Sequence, residues 1–224
     1  MILSELPIDE RPREKAIKYG VEALSNRELL AIILRSGINN ISSLELADNI
    51  LIKSNGLKGL RQLSINELKT IKGIKDVKAI ELLAIFEFSN RLLYQECLEK
   101  NVVSSPESLI KWLKLEIGHL KQENFVVIFL DTKHHIIDYQ IVFKGTLNAS
   151  LVHAREIYKQ AISKSASAII VSHNHPSGDC TPSNADISVS NRLKEVGNLM
   201  EIRLIDHIIV SDNDYYSFAK NKLL

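Results

Sequence analysis

Apolar residues of the first hundred positions recur at helical spacing. The segment "SNRELLAIILRSG" opens on a Ser25-x-x-Glu28 capping box and closes at Gly37. "SSLELADNILIKSNG" starts in the same manner and ends at Gly56. "SINELKTIKGI" and "VKAIELLAIFEFSNRLLYQECLEK" continue the helical period, and no strand of useful length interrupts them. Beyond "KNVVSS", Lys100 to Ser105, the pattern changes. "SPESLIKWLKLEIGHL" reads as a helix with Pro106 in its first turn. "FVVIFLD" and "HHIIDYQIVF" read as two strands joined by a short turn, a hairpin. Then follow a helix, "VHAREIYKQAISKS", a buried strand, "ASAIIVSH", a helix, "SNADISVSNRLKEVGNLM", and a strand, "IRLIDHIIVSD". This order predicts an all-α region over 1–100 and, over 101–224, an α/β region with a mixed sheet flanked by helices.

The strand "AIIV" runs directly into His173-Asn174-His175. In extended backbone, residues two apart project to the same side, so both imidazoles face one point beyond the strand end. Pro176 and Gly178 turn the chain, Ser183 stands at an N-cap position, and Asp186 falls in the first helical turn. That start brings Asp186 back toward the strand end. Two neutral imidazoles and one carboxylate suit Zn²⁺, and three protein ligands leave a fourth position for water. Taken singly, these residues have plainer readings: a polar histidine, and a Ser-x-x-Asp cap with no further role. His-x-His by itself also serves amidohydrolases, which need a larger barrel, and metallo-β-lactamases, which expect further ligands where this chain has Pro176 and Ser177. A zinc nucleobase deaminase carries His-x-Glu with Pro-Cys-x-x-Cys, and here the third position is His175.

Composition narrows the partners. The chain has 224 residues, 45% of them hydrophobic and 25% charged, with a net charge of +1. A balance so near zero supplies no global attraction to nucleic acid or an anionic membrane. The first fourteen residues mix acids and bases, unlike a signal peptide, and the longest clean apolar run, "FVVIFL", is far short of a membrane span. Cys97 and Cys180 are the only cysteines and have no framework spacing, so the expectation is a reduced, cytoplasmic setting. Cys180 as a fourth ligand would close the site. His207 in "LIDHIIV" reads as a buried, hydrogen-bonded core residue, Trp112 as core, and His134, His135 and His153 show no metal spacing.

His173-x-His175, seven residues, then Ser183-x-x-Asp186 resembles the JAMM (JAB, MPN) metalloprotease signature. The fuller form "HNHPSGDCTPS", with "VHAREIYKQAI" before it, "IDHIIVSD" after it and "ERPREKAIKYGVEALSNRELLAIILRSG" near the start, resembles the bacterial RadC family over nearly the whole chain. The resemblance implies a JAMM/MPN, cytidine-deaminase-like fold and a Zn²⁺ cofactor held by His173, His175 and Asp186. It implies Ser183 as the serine that steadies the water or an oxyanion, and Glu123, just before the first strand, as general base. Glu156 is the rival, with an ordinary helix glutamate paired to Lys159 or Lys164 as its plain reading. The activity implied is hydrolysis of peptide or isopeptide bonds in a protein or peptide substrate, with no membrane partner.

The first region also resembles a helix-hairpin-helix at "LSINELKTIKGIKDVKAIELLA". Gly73 fits the hairpin turn, and Lys75 stands where a second glycine is expected. Lys58, Arg61, Lys69, Lys72, Lys75 and Lys78 outnumber Glu67 and Asp76 there, so Lys72, Lys75 and Lys78 are candidates for weak DNA contact. The solvated face of two helices explains the same charges. The competing functional reading is a DNA-associated, repair-linked accessory protein in which the zinc domain is a scaffold.

Overall fold

The computed structural model describes residues 6–145 and 152–224. The chain divides into two compact units, Met1–Ser89 and Asn90–Leu224.

The first unit holds helices α1 (Pro12–Tyr19), α2 (Asn26–Leu34), α3 (Ser43–Ser54), α4 (Leu57–Gln62) and α5 (Ile65–Lys69), and the opening turns of α6 (Asp76–Leu98). Capping boxes start α2 at Ser25/Glu28 and α5 at Ser64/Glu67. Leu34, Leu46, Ile50, Leu60, Leu68 and Leu82 make its core. Asn55, in left-handed conformation, and then Gly56 terminate α3.

The second unit takes the last turns of α6, then α7 (Pro106–Leu113), β1 (Asn124–Leu130), β2 (Ile136–Lys144), α8 (Ala154–Ser163), β3 (Ala168–Asn174), α9 (Asn184–Leu199), β4 (Arg203–Val210) and β5 (Tyr215–Ser217). The five strands form one sheet in the order β2-β1-β3-β4-β5. β3 and β4 are parallel, and the other neighbours are antiparallel. The mixed sheet flanked by helices is thus present, with an all-α region before it in the chain. β1 reads as an unbroken apolar run because both its faces are covered. Val126, Ile128 and Leu130 pack with Leu109, Trp112 and Leu113 of α7; Phe125, Val127 and Phe129 pack with Ile157 of α8 and Val189 and Leu193 of α9. The short β5 edge strand was not legible in the sequence; its three residues carry no pattern long enough to read.

The β3–α9–β4 unit positions everything that follows. A parallel pair joined by a crossover helix leaves a crevice at the carboxyl ends of its strands, where the helix begins. His173 and Asn174 are the last residues of β3, and Asp186 lies in the first turn of α9.

Candidate metal centre

His173, His175 and Asp186 converge at that strand end, each offering one ligand atom, all within 4.8 Å of one another. His173 Nε2 lies 3.0 Å from His175 Nε2 and 3.2 Å from Asp186 Oδ1. His175 Nε2 lies 3.6 Å from Asp186 Oδ2. His173 and Asp186 are buried and His175 is partly exposed, so the cluster opens to solvent on one side.

The start of α9 explains how Asp186 is held. Ser183 is the N-cap, and its backbone N–H and hydroxyl both donate to Asp186 Oδ2, at 2.7 and 2.6 Å. The Asp186 N–H donates back to Ser183 Oγ at 3.2 Å. Oδ1 is left to face His173. The plain capping role of Ser183 is therefore real, and it also aims the carboxylate. To serve an oxyanion, the Ser183 hydroxyl would have to turn its proton away from Oδ2.

Each imidazole is fixed from behind. His175 Nδ1 sits 2.6 Å from the Asp179 carbonyl, which can only accept, so Nδ1 carries the proton and Nε2 faces the cluster. His173 Nδ1 sits 2.9 Å from Nε2 of His207, and Phe125 stacks on the His173 ring. His207 is buried as expected, but it is no bystander: it touches the ring that the sequence names as a ligand. Its Nδ1 in turn lies 2.6 Å from Ser190 Oγ. Ser190, one helical turn beyond Asp186, was not singled out in the sequence. The Asp186-x-x-x-Ser190 spacing on one helix face was the available signal, but it is too common to notice without the fold.

The charges follow this packing. Burial pushes the Asp186 carboxyl up, yet the His173 and His175 rings beside it and the Ser183 hydrogen bond overcome it and hold Asp186 well below the usual carboxylate range. The Asp186 hydrogen bond raises His175 against its own desolvation, helped by the Asp179 carbonyl and the Glu123 charge. Desolvation by complete burial drives His207 far down, so it is neutral at neutral pH. The cluster thus favours a positive charge at His175.

Glu123 is partly buried and immediately precedes β1. β1 and β3 pair antiparallel with Phe125 opposite His173, a register that extrapolates to Glu123 opposite His175. Opposite residues of an antiparallel pair share a face. Carried past the strand ends, that register points Glu123 to the histidine side, and its charge acts on His175, though it is outside the three-residue cluster itself. Asn174, pointing to the other face and fully buried, ties down this segment. Its Oδ1 accepts from the Asn124 N–H at 2.7 Å, and its Nδ2 donates to the carbonyls of Leu120 at 2.9 Å and Gln122 at 3.1 Å.

Other candidates fall elsewhere. Glu156 is exposed in the first turn of α8 and pairs with Arg155 at 3.1 Å, while Lys164 pairs with Asp138 at 2.6 Å. Cys180 is buried against Ile209 and Phe218 and is not in the ligand cluster. Trp112 is buried between Tyr94 and Tyr139. In the first unit, Gly73 takes φ 99°, while Lys75 is not among the residues with positive φ, so the hairpin needs only one glycine there. Lys72 and Lys75 are exposed; Lys78 is half-buried and donates to the Ser36 carbonyl at 2.6 Å. Lys69 is paired with Asp76. The side chain of Lys58 lies outside the described residues. Among the described residues, no helix is long and apolar enough to cross a membrane.

Residues 103–223 match the family described as a RadC-like JAB domain, and residues 3–80 match the UPF0758 N-terminal family. The chain is 44% identical to a UPF0758 protein of Halalkalibacterium halodurans over 220 residues, 98% of this chain and 95% of that one. It is 46% identical to a UPF0758 protein of Staphylococcus haemolyticus, covering 98% and 96%. A UPF0758 protein of Clostridium perfringens is 45% identical, covering 99% and 97%. With its helical region, its mixed sheet and its histidine–aspartate cluster in the matched segments, this chain belongs to the RadC/UPF0758 family.

Proposed function

We propose that the protein is a zinc-dependent hydrolase of peptide or isopeptide bonds, with His173, His175 and Asp186 as the metal ligands. The observation that carries this reading is the donor accounting of the cluster. Two imidazole nitrogens and a carboxylate meet at 3.0–3.6 Å, and outer hydrogen bonds occupy the other nitrogen of each ring. Such a set of convergent lone pairs favours a cation, and its N₂O composition suits zinc with a position to spare. Zinc bound there supplies a Lewis acid and brings the pKa of a water toward about 7.

The chain's own residues do the rest. Glu123, on the open side beside His175, takes a proton from the attacking water and passes it to the leaving amine. Ser183 holds Asp186 in its ligating orientation. Asn174 holds the Leu120–Asn124 segment that carries Glu123. The partly exposed His175 marks the side from which an extended substrate backbone enters.

The test is metal content followed by turnover. Purified protein should carry about one zinc per chain, and Asp186→Ala should lose it. Glu123→Gln should keep the metal and lose roughly two to four orders of magnitude in hydrolysis of a fluorogenic or isopeptide-linked panel. Glu156→Gln should keep both. Full zinc in Asp186→Ala would place the ligands elsewhere, and an inactive Glu156→Gln beside an active Glu123→Gln would overturn the assignment of the base.

A second reading, a DNA-associated accessory role, draws on the α5–α6 hairpin turning at Gly73 with exposed Lys72 and Lys75 beside it. It needs neither the aimed carboxylate nor Glu123, and for that reason we place it second.

A further inference from the structure

Four groups run in line behind the candidate ligand His173: its own Nδ1, both ring nitrogens of His207, the Ser190 hydroxyl and the Asp186 backbone carbonyl. The distances are 2.9, 2.6 and 2.7 Å, and His173, His207 and Ser190 are all fully buried. Proton positions along this line follow from its far end. A carbonyl only accepts, so the 2.7 Å contact takes the single hydroxyl proton of Ser190. The Ser190 oxygen can then only accept from His207, which puts the His207 proton on Nδ1. His207 Nε2 is left as a lone pair, and it can only accept from His173 Nδ1–H. His173 Nε2 is therefore the bare nitrogen, directed at Asp186 Oδ1 and His175 Nε2.

We propose that Ser190 and His207 are positioning residues that lock His173 in the Nδ1–H tautomer and so make its Nε2 a ligand. The inference rests on the metal site proposed above and extends it to two residues that never touch the ion. The relay begins and ends on Asp186: its backbone carbonyl sets the proton order, and its side chain meets the nitrogen that the order exposes. Phe125 and Phe218 wall in the His207 ring, at 5.7 and 4.7 Å between centroids, so no water can substitute easily for the missing partner. Without the relay, the His173 proton is free to move to Nε2 and oppose the metal.

The experiment measures zinc affinity by competition with a chelator, and ring tautomers by ¹⁵N NMR of the histidines in the zinc-loaded full chain. Ser190→Ala and His207→Phe should each weaken zinc binding by about ten- to a hundredfold, the usual worth of an outer partner of a ligating histidine. His207→Gln, which can still accept from His173 and donate to Ser190, should recover much of that loss. The wild-type spectrum should show His173 protonated at Nδ1. Ser190→Ala is the milder variant and keeps the test open if His207→Phe fails to fold. Wild-type affinity in both variants, or a His173 Nδ1 without its proton, would overturn the relay while leaving the metal site standing. A wild-type chain that binds no zinc at all would overturn the site, and the relay with it.

Discussion

Replacing Asn174 by alanine removes three hydrogen bonds from a residue with no exposed surface. Their partners are not equally harmed. The Gln122 carbonyl keeps the Asn124 side-chain amide at 2.7 Å. The Asn124 N–H and the Leu120 carbonyl lose the partner described above. A buried polar group left unpaired costs about 1–3 kcal/mol, so two cost about 2–6 kcal/mol, with the low end reached where water enters. For a unit of this size that corresponds to a fall in Tm of about 6–18 °C. The loss should fall on the unfolding transition of the sheet-bearing unit and leave that of the helical one in place. It should be the same with and without zinc, since Asn174 offers no ligand atom. The strand end survives through β3's ladder, so zinc should still bind, but Glu123 would no longer be pinned and hydrolysis should drop well below wild type. Thermal and urea melts of wild type and Asn174→Ala, metal-free and zinc-loaded, measure this. A change under about 0.5 kcal/mol would refute the reasoning, because bonds worth so little cannot be fixing the segment.

Other outcomes can be checked alongside. Zinc competes with the proton that Asp186 holds on His175, whose pKa is raised above 6.5; affinity should therefore weaken as pH falls below that raised pKa, by up to about tenfold per unit for one proton, and a flat profile would reject His175 as ligand. In the metal-free protein the sign at His175 reverses: its raised pKa stabilises fully below 6.5, and that share is lost as pH rises through the folded value, as melts across the window would show. Gly197→Ala should cost about 1–3 kcal/mol or more in a melt, because its Cβ would lie 2.4 Å from Tyr158 Oη and 2.5 Å from the Ile202 carbonyl. If the hairpin at Gly73 touches DNA, replacing Lys72, Lys75 and Lys78 together should flatten the salt dependence of duplex binding; an unchanged slope would rule that patch out.

The helices and the mixed sheet were legible because their apolar periods are long and their starts are capped. The convergence of His173, His175 and Asp186 was legible because strand alternation and a cap position fix directions locally. Glu123 came through resemblance, and the β1–β3 register, with Phe125 opposite His173, only points toward its meeting with His175 when carried past the strand ends. Ser190 and His207 were out of reach for a different reason. Their contacts join residues 17 and 34 positions apart, across a helix and two strands, and no local period encodes such a meeting. The same holds for Asn174, whose side chain reaches 50 residues back to Asn124.

Among the described residues, three helices begin with the same reciprocal cap, at Ser25/Glu28, Ser64/Glu67 and Ser183/Asp186. In each, one carboxylate oxygen takes both the serine N–H and its hydroxyl. The other oxygen is surplus to the cap. At Glu28 that surplus oxygen meets the Lys15 ammonium at 2.9 Å; at Asp186 it meets His173. A helix start of this kind is thus a ready-made half of a cation site, oriented by folding alone and present before any chemistry is asked of it. What separates an ordinary surface cap from the candidate metal centre in this chain is a shorter acid and a strand end that carries two histidines opposite it. A designer, or a lineage, seeking such a centre has only the strand end to change, because the carboxylate is already in place.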